Sequence, residues 1–262
     1  MLSLILALAP IAPLPPQNVA AERLEHSPRH HEWIDVERGE RTVRAFAVFP
    51  ERADKAPVVL VIHENKGLTD WVRSVCDRLA EEGFVAVAPD LLSGAGPEGG
   101  NTESFASNDD ATKALYARDA AEVMADLDAV ADAALKLDAA DSKLFVAGFC
   151  WGGTQSFAFA TRRADLKAAF VFYGSAPTDA EALERIGCPV YGFYGENDAR
   201  IAAGLPATEE AMQQAGKTFE PVVYAGAGHG FLRAGESTDA SEANRKAREE
   251  AWSLWLGILG GN

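Results

Sequence analysis

Cys150 lies in a segment whose residue types and spacing are those of a catalytic nucleophile. The string GFCWGG, residues 148–153, follows an apolar run and begins a helical pattern, as expected of a strand–turn–helix elbow with cysteine as the nucleophile. Glycine suits this tight turn, because larger side chains would clash with neighbouring strands. The turn would lift the thiol above the sheet edge and place the Trp151 amide at a helix N-terminus, facing an oxyanion. A buried structural cysteine is the alternative.

Candidate partners for this thiol follow it in the order acid, then histidine. A thiol needs a base, because free cysteine is mostly protonated at neutral pH. Asp198 comes directly after the apolar run Val190–Tyr194, and His229 lies in a Gly-rich segment after the last such run. The order nucleophile, acid, histidine is that of the α/β-hydrolases, in which the acid orients the imidazole. Glu196 is a competing acid, and a turn histidine is the alternative for His229.

The turn after the apolar run Val58–His63 supplies two further candidates. We expect the backbone N–H of Asn65 to be the second oxyanion donor, beside that of Trp151. Glu64, next to the thiol, would raise the pKa of the thiol and keep it neutral at rest. A structural salt bridge with Lys66 or an arginine is the alternative for Glu64.

Alternating strand and helix patterns predict the fold that positions these residues. The predicted architecture is an α/β, doubly wound, mostly parallel sheet of about eight strands flanked by helices, with no large cap domain. Predicted strands are Trp33–Arg38, Thr42–Phe49, Val58–His63, Val85–Pro89, Leu144–Phe149, Ala168–Tyr173, Val190–Tyr194 and Thr218–Tyr224, the first two antiparallel. Predicted helices are Thr69–Glu82, Asp110–Leu137, Trp151–Thr161, Ile201–Ala215 and Ser241–Leu259, with a loop at Ser93–Asn108.

Residues 1–32 are predicted to be a leader, and 33–262 a single domain. The apolar run Leu2–Ala9 is too short to span a bilayer and is similar to the hydrophobic region of a secretory signal, although no Lys or Arg precedes it. Export to the periplasm or beyond is therefore one expectation, and a cytoplasmic protein with a disordered leader is the other. The three histidines before the first predicted strand, His26, His30 and His31, are predicted to be surface residues.

Charge and motif content exclude several classes of function. The 262 residues include 24 Lys and Arg against 39 Asp and Glu, a formal net charge of −15. This excess of negative charge opposes binding to nucleic acids and to anionic membranes. The three cysteines form no C-x-x-C pair, and we find no metal motif, P-loop or dinucleotide fingerprint. We therefore expect a chain that uses no metal and no cofactor.

The sequence resembles the dienelactone hydrolase (carboxymethylenebutenolidase-like) family, which belongs to the α/β-hydrolase superfamily. The resemblance covers roughly residues 40–257 and is carried by the strings HENKG, APDLL, GFCWGG, GENDARI and GAGHGF. It implies a triad of Cys150, Asp198 and His229. It also implies that Glu64 pairs with the resting thiol and becomes its base when substrate displaces it.

The resemblance also bears on the substrate. Members that act on dienelactones hold the substrate carboxylate with two arginines, a role that suits the guanidinium fork. Arg233 matches one of them, and a solvent-exposed loop arginine is its alternative. Asn108 stands at the position of the other, which favours a neutral or weakly charged ester and leaves open whether dienelactone itself is a substrate.

The predicted function is hydrolysis of a small-molecule carboxylic ester or lactone through a thioester on Cys150, by a monomer or small homo-oligomer. Trp71 and Phe231, with Trp151, could form an apolar substrate pocket, or they could pack into the sheet edge. Two other functions stay open: a non-catalytic scaffold that binds a small molecule, and a redox-active thiol. No resolving cysteine lies near Cys150 in the sequence, which ranks the redox function last.

Overall fold

The computed structural model describes residues 19–261, so the signal-like run Leu2–Ala9 lies outside the described residues. Eight strands form a single sheet in the order β1-β2-β4-β3-β5-β6-β7-β8. The strands are β1 (His31–Arg38), β2 (Arg41–Val48), β3 (Ala56–Ile62), β4 (Val85–Pro89), β5 (Ala140–Phe149), β6 (Leu166–Phe172), β7 (Val190–Gly195) and β8 (Phe219–Tyr224). The predicted eight-stranded α/β sheet is therefore confirmed.

Six of the eight strands form the parallel part of the sheet. Strands β3, β4, β5, β6, β7 and β8 run parallel, whereas β2 is antiparallel to both β1 and β4. Strands buried on both faces read as continuous apolar runs, and each of the five residues of Val85–Pro89 is buried. The antiparallel pair β1–β2 turns at Gly39, whose φ of 62° is readily adopted only by glycine.

Helices cover both faces of this sheet. They are α1 (Val19–His26), α2 (Asp70–Glu81), α3 (Asn108–Tyr116), α4 (Ala120–Ala134), α5 (Trp151–Ala160), α6 (Ala180–Glu184), α7 (Ala199–Ala202), α8 (Leu205–Gln214), α9 (Phe231–Ala234) and α10 (Glu242–Gly261). Helices α3 to α8 pack into one apolar core, and α1, α2, α9 and α10 into the other, on the opposite face of the sheet. No helix among residues 19–261 is long and apolar enough to cross a membrane.

Two predicted helices are each divided in the structure. The predicted helix Asp110–Leu137 becomes α3 and α4, because the Asp119 carboxylate accepts the N–H groups of Ala121 and Glu122 at 2.9 and 3.0 Å and so starts a new helix. The predicted helix Ile201–Ala215 becomes α7 and α8. A proline, Pro206, stands in the first turn of α8, where its missing N–H is tolerated, whereas it would break a helix interior.

The predicted leader includes structured residues in its second half. Helix α1 contacts α2, and the Asp77 side chain on α2 is fully buried. This carboxylate accepts two hydrogen bonds from Arg29, both at 2.8 Å, and pairs with Arg23 at 2.7 Å. It also pairs with His31 at 3.0 Å. Burial acts against the charge, yet the hydrogen bonds from Arg29 hold the pKa of Asp77 well below its usual value. His31 is thus part of this cluster and not the surface residue predicted.

Candidate active site

The turn that carries Cys150 has the geometry expected of a nucleophile elbow. Cys150 stands between β5 and α5 with φ 56° and ψ −115°, a backbone conformation that is strained for any residue with a side chain. A Cβ atom on Gly148 would overlap the carbonyl oxygen of Gly152, and one on Gly152 would overlap that of His63. Both positions therefore require glycine, because neighbouring backbone passes too close for any side chain.

Cys150, His229 and Asp198 meet at the carboxyl edge of the sheet. Asp198 follows β7 and is 7% exposed, and its Oδ2 lies 2.5 Å from Nδ1 of His229. The His229 side chain is also hydrogen-bonded to Cys150, which is the largest cause raising the pKa of His229 to about 9. Burial acts in the opposite direction, and Asp198 adds to the rise. The competing acid, Glu196, instead accepts the N–H of Gly226 at 2.8 Å.

Glu64 and Arg233 form an ion pair at this site. Nε of Arg233 donates to Oε2 of Glu64 at 2.8 Å, with the two side chains 45% and 8% exposed. This differs from the expected pairing of Glu64 with the resting thiol of Cys150, whose hydrogen bond goes to His229. The physical reason is that a buried carboxylate needs a cation or several donors to offset its desolvation. The alternative considered for Glu64, a salt bridge with an arginine, is what the structure shows.

The two expected oxyanion donors follow neighbouring strands of the sheet. Trp151 is the first residue of α5, so its N–H has no acceptor within the helix. Asn65 is half-buried in the turn after β3, where its carbonyl oxygen accepts the Thr112 hydroxyl at 3.1 Å. The backbone N–H groups therefore stand at the ends of two neighbouring strands, β3 and β5, which are paired in the sheet.

His63 fixes the turn that carries Glu64 and Asn65. Its Nε2 accepts the N–H of Leu91 at 3.2 Å, which assigns the ring proton to Nδ1, and Nδ1 lies 2.7 Å from the carbonyl oxygen of Glu64. Complete burial lowers the pKa of His63, so the ring is neutral at physiological pH. The imidazole is stacked on Trp151 with 5.8 Å between ring centroids. One side chain thus ties the two oxyanion segments together.

Replacing His63 with leucine should lower the free energy of unfolding by about 1–3 kcal/mol, because it leaves the Leu91 N–H buried without its acceptor. The Glu64 carbonyl also loses the imidazole and keeps only the Gly67 N–H. Urea denaturation measures this change. His30→Leu is the matched control, since the His30 side chain is 67% exposed and surface substitutions change stability by at most about 0.5 kcal/mol. Equal shifts in the two variants would show that His63 does not hold the turn.

Two residues expected to contact substrate are core residues instead. Trp71 is 6% exposed and packs edge-on against Phe149, with 5.0 Å between ring centroids. Phe231 is 0% exposed and packs against Tyr173 and Tyr224. Both residues are close to site residues in the sequence, but in the structure they pack beneath the site. Core packing was the alternative considered for Trp71. Among residues 19–261 no three His, Cys, Asp or Glu side chains are grouped to hold a metal ion.

Tyr173 belongs to the site but was not predicted as a site residue. It follows β6 with φ 44°, and besides Cys150 only Glu98 shares a positive φ among the described non-glycine residues. Its ring packs edge-on against His229, with 5.1 Å between centroids. The hydroxyl is buried and has no hydrogen-bond partner among the described residues. In the sequence Tyr173 is the last residue of the predicted strand Ala168–Tyr173, and nothing there distinguishes it from a core aromatic residue.

Replacing Tyr173 with phenylalanine should leave the free energy of unfolding unchanged or raise it by up to about 1 kcal/mol, because the ring contacts stay and a buried hydroxyl without a partner is removed. Tyr173→Leu, which also loses the contact with His229, should be destabilising. Both are measured by urea denaturation. A loss of more than 1 kcal/mol in Tyr173→Phe would mean that the hydroxyl has a stabilising partner.

Comparison with known proteins places the chain in a family. The model of the dienelactone hydrolase family matches residues 43–261. A curated relative from Salmonella typhimurium, by name a carboxymethylenebutenolidase, is 32% identical over 229 residues, which cover 83% of each chain. A relative of the same name from Saccharolobus solfataricus is 30% identical over 239 residues, covering 80% of this chain and 90% of its own.

Solved structures share the fold. A protein of Klebsiella pneumoniae described as a dienelactone hydrolase superposes with a TM-score of 0.78 at 28% identity, covering 89% of this chain and 99% of its own. The dienelactone hydrolase-like phosphotriesterase P91 from metagenomic libraries has a TM-score of 0.75 at 23% identity, over 89% and 98% of the two chains. The chain therefore belongs to the dienelactone hydrolase family and is an α/β-hydrolase that acts on ester or lactone bonds.

Proposed function

We propose that the chain hydrolyses carboxylic esters or lactones through a thioester on Cys150. The observation that carries this proposal is that His229 is hydrogen-bonded to both Cys150 and Asp198, with Cys150 in a strained backbone conformation at the elbow. A binding scaffold has no need of a nucleophile in a strained conformation, because such strain persists only where the surrounding structure enforces it. The raised pKa of His229, about 9, keeps its imidazole protonated at neutral pH, so it can donate a proton beside the sulfur of Cys150.

Acylation begins with His229 in its imidazolium form. The thiolate sulfur of Cys150 attacks the substrate carbonyl carbon, and the N–H groups of Asn65 and Trp151 stabilise the negative oxygen that forms. As the intermediate collapses, the carbon–oxygen bond to the alcohol breaks, and the His229 imidazolium gives its proton to the departing oxygen. The products of this step are a thioester and a free alcohol; for a lactone the alcohol stays attached to the acyl group.

Deacylation restores the enzyme. His229, now neutral, takes a proton from water as the water oxygen attacks the thioester carbonyl, and the same two N–H groups stabilise the second oxyanion. Collapse expels the thiolate and releases the carboxylic acid. Asp198 holds the imidazole in one orientation and stabilises its charged form throughout.

Glu64 supplies a route for the proton of Cys150 when the thiol is protonated at rest. In the structure its carboxylate is bound by Arg233. A polar or anionic substrate group that binds Arg233 would release Glu64, whose carboxylate then takes the proton of the Cys150 thiol and returns it after deacylation has expelled the thiolate. Because Arg233 is half-exposed, it is accessible to such a group without a change in the fold.

The test is direct capture of the acyl-enzyme. Reaction with p-nitrophenyl acetate, followed by acid quenching and mass spectrometry, should show one acetyl group on the peptide that contains Cys150, removable by hydroxylamine. Hydrolysis without this adduct would overturn the thioester route. The binding-scaffold alternative predicts no hydrolysis of any ester or lactone. The redox alternative predicts a stable sulfenic acid after peroxide treatment, again without hydrolysis.

The pH dependence should differ between good and poor leaving groups. Above about pH 9 the His229 imidazolium loses its proton, so kcat/KM for an alkyl ester should fall, because the alkoxide then departs unprotonated. A nitrophenyl ester should not show this fall, since its leaving group needs no proton. Initial rates between pH 6 and 10.5 measure both profiles. Identical profiles for the two esters would argue against His229 as the general acid.

A further inference from the structure

A cavity of about 380 Å³ lies at the carboxyl edge of the sheet, outside the residues assigned a role above. Its walls are formed by the segment after β6 and by helices α6, α7 and α8. The buried side chains in its lining are apolar or aromatic: Leu183, Tyr194, Ile201 and Leu205. Its one charged lining residue, Arg200, is exposed. The inner surface is therefore suited to an uncharged apolar group.

Both walls of this cavity are bonded to segments that carry the catalytic groups. Gly174 lies so close to the first turn of α5 that a Cβ there would overlap the backbone N of Thr154, and the Ser175 N–H donates to the Thr154 hydroxyl at 3.0 Å. On the other wall, the Ile201 N–H donates to the backbone oxygen of Asp198 at 3.0 Å. The cavity thus lies beside the elbow, one helical turn from Cys150.

The cavity and the leaving-group side of the site belong to opposite faces of the sheet. Leu183, Tyr194, Ile201 and Leu205 are part of the core that contains α4 and α5. Tyr173 and Phe231, which pack around His229, are part of the other core. Cys150 packs against the core of Tyr173 and Phe231, whereas the next residue, Trp151, packs against the core that lines the cavity. With the alcohol leaving on the face of His229, the cavity face is left for the acyl group.

We propose that this cavity binds the acyl chain of the substrate and that the enzyme prefers esters of medium-length aliphatic or aryl-substituted acids over acetates. The proposal rests on the proposed function. A volume of about 380 Å³ exceeds twice the roughly 150 Å³ that accommodates benzene in an apolar protein cavity. Each methylene group removed from water should raise kcat/KM about fourfold until the cavity is filled.

The test compares p-nitrophenyl hexanoate with p-nitrophenyl acetate in the full-length enzyme. The hexanoate:acetate ratio of kcat/KM should be high in the wild type and should fall at least tenfold in Ala211→Phe, which places a ring in the cavity. Ala133→Phe is the matched control, since Ala133 is also a half-buried helical alanine but lines a separate cavity beside β1 and α4. It should leave the ratio unchanged. The ratio corrects for any loss of folded enzyme.

A second measurement does not depend on turnover. Calorimetry with the Cys150→Ala protein should detect binding of hexanoate, at least tenfold weaker when Ala211→Phe is added. If no ester is hydrolysed but this binding is found, the proposed function fails and the acyl cavity stands. If acetate and hexanoate esters are hydrolysed equally and Ala211→Phe changes neither the ratio nor the binding, the cavity proposal is overturned and the hydrolase function stands.

Discussion

Replacing Cys150 with alanine should abolish ester hydrolysis while leaving the protein folded. Removing the nucleophile of a catalytic triad lowers kcat by a factor of about 10⁶, because the remaining groups act as a unit and cannot form the covalent intermediate. The fold should survive, since the methyl group fits the turn and the required glycines are unchanged. Initial rates with p-nitrophenyl acetate measure the loss, and circular dichroism checks the fold.

A second cysteine provides the control for this variant. Cys188 is 7% exposed, burial raises the pKa of its thiol to about 11, and it is not close to the elbow in the sequence. Cys188→Ala should therefore retain wild-type kcat, with any change confined to stability. Activity of Cys150→Ala within tenfold of the wild type would contradict the proposed mechanism, because a water molecule activated by His229 would then be sufficient.

Replacing Asp198 with asparagine should lower kcat by about 10⁴ with little change in structure. The amide can still lie beside Nδ1 of His229, but it can hold the imidazole in the wrong tautomer, and it no longer stabilises the imidazolium. The carboxylate also contributes to the raised pKa of His229, so the alkaline fall in alkyl-ester hydrolysis should move to lower pH. Steady-state rates across the pH range measure both effects.

Glu196→Gln is the matched control for this variant. The two carboxylates are two residues apart in the same loop, but Glu196 binds a backbone N–H while Asp198 binds the imidazole of His229. We expect Glu196→Gln to retain kcat within a few-fold. A larger loss in Glu196→Gln than in Asp198→Asn would assign the acid of the triad to Glu196.

The parts of this site that could be predicted from the sequence depend on short-range signals. The elbow around Cys150 is recognisable because several glycines are required by steric overlap within a few residues of the nucleophile. Asp198 and His229 could be chosen among many acids and histidines because each follows an apolar run, and parallel strands bring their carboxyl ends to one edge. The strands themselves were predicted from the same apolar runs, whereas their order in the sheet was not predicted.

The parts that were not predicted depend on contacts between distant segments. Glu64 and Arg233 are 169 residues apart, and nothing local to either indicates that they pair with each other and not with thiol and substrate. Whether Phe231 faces a substrate or the core is decided by how α9 packs over Tyr173 and Tyr224. The break before α4 is a different case, because it has a local signal in the sequence. Its capping residue, Asp119, could have been recognised, but a prediction from apolar periodicity alone misses it.

The cluster around Asp77 has a consequence for how much active enzyme a cell would contain. Arg23 and Arg29 satisfy a buried carboxylate from a segment that precedes the first strand. A chain shortened to begin at Trp33 would leave that charge without either guanidinium, and breaking a buried pair in this way costs about 3–5 kcal/mol. Since abundance in cells follows the unfolded fraction, proteolytic trimming at the N-terminus would deplete the enzyme without altering a single catalytic group.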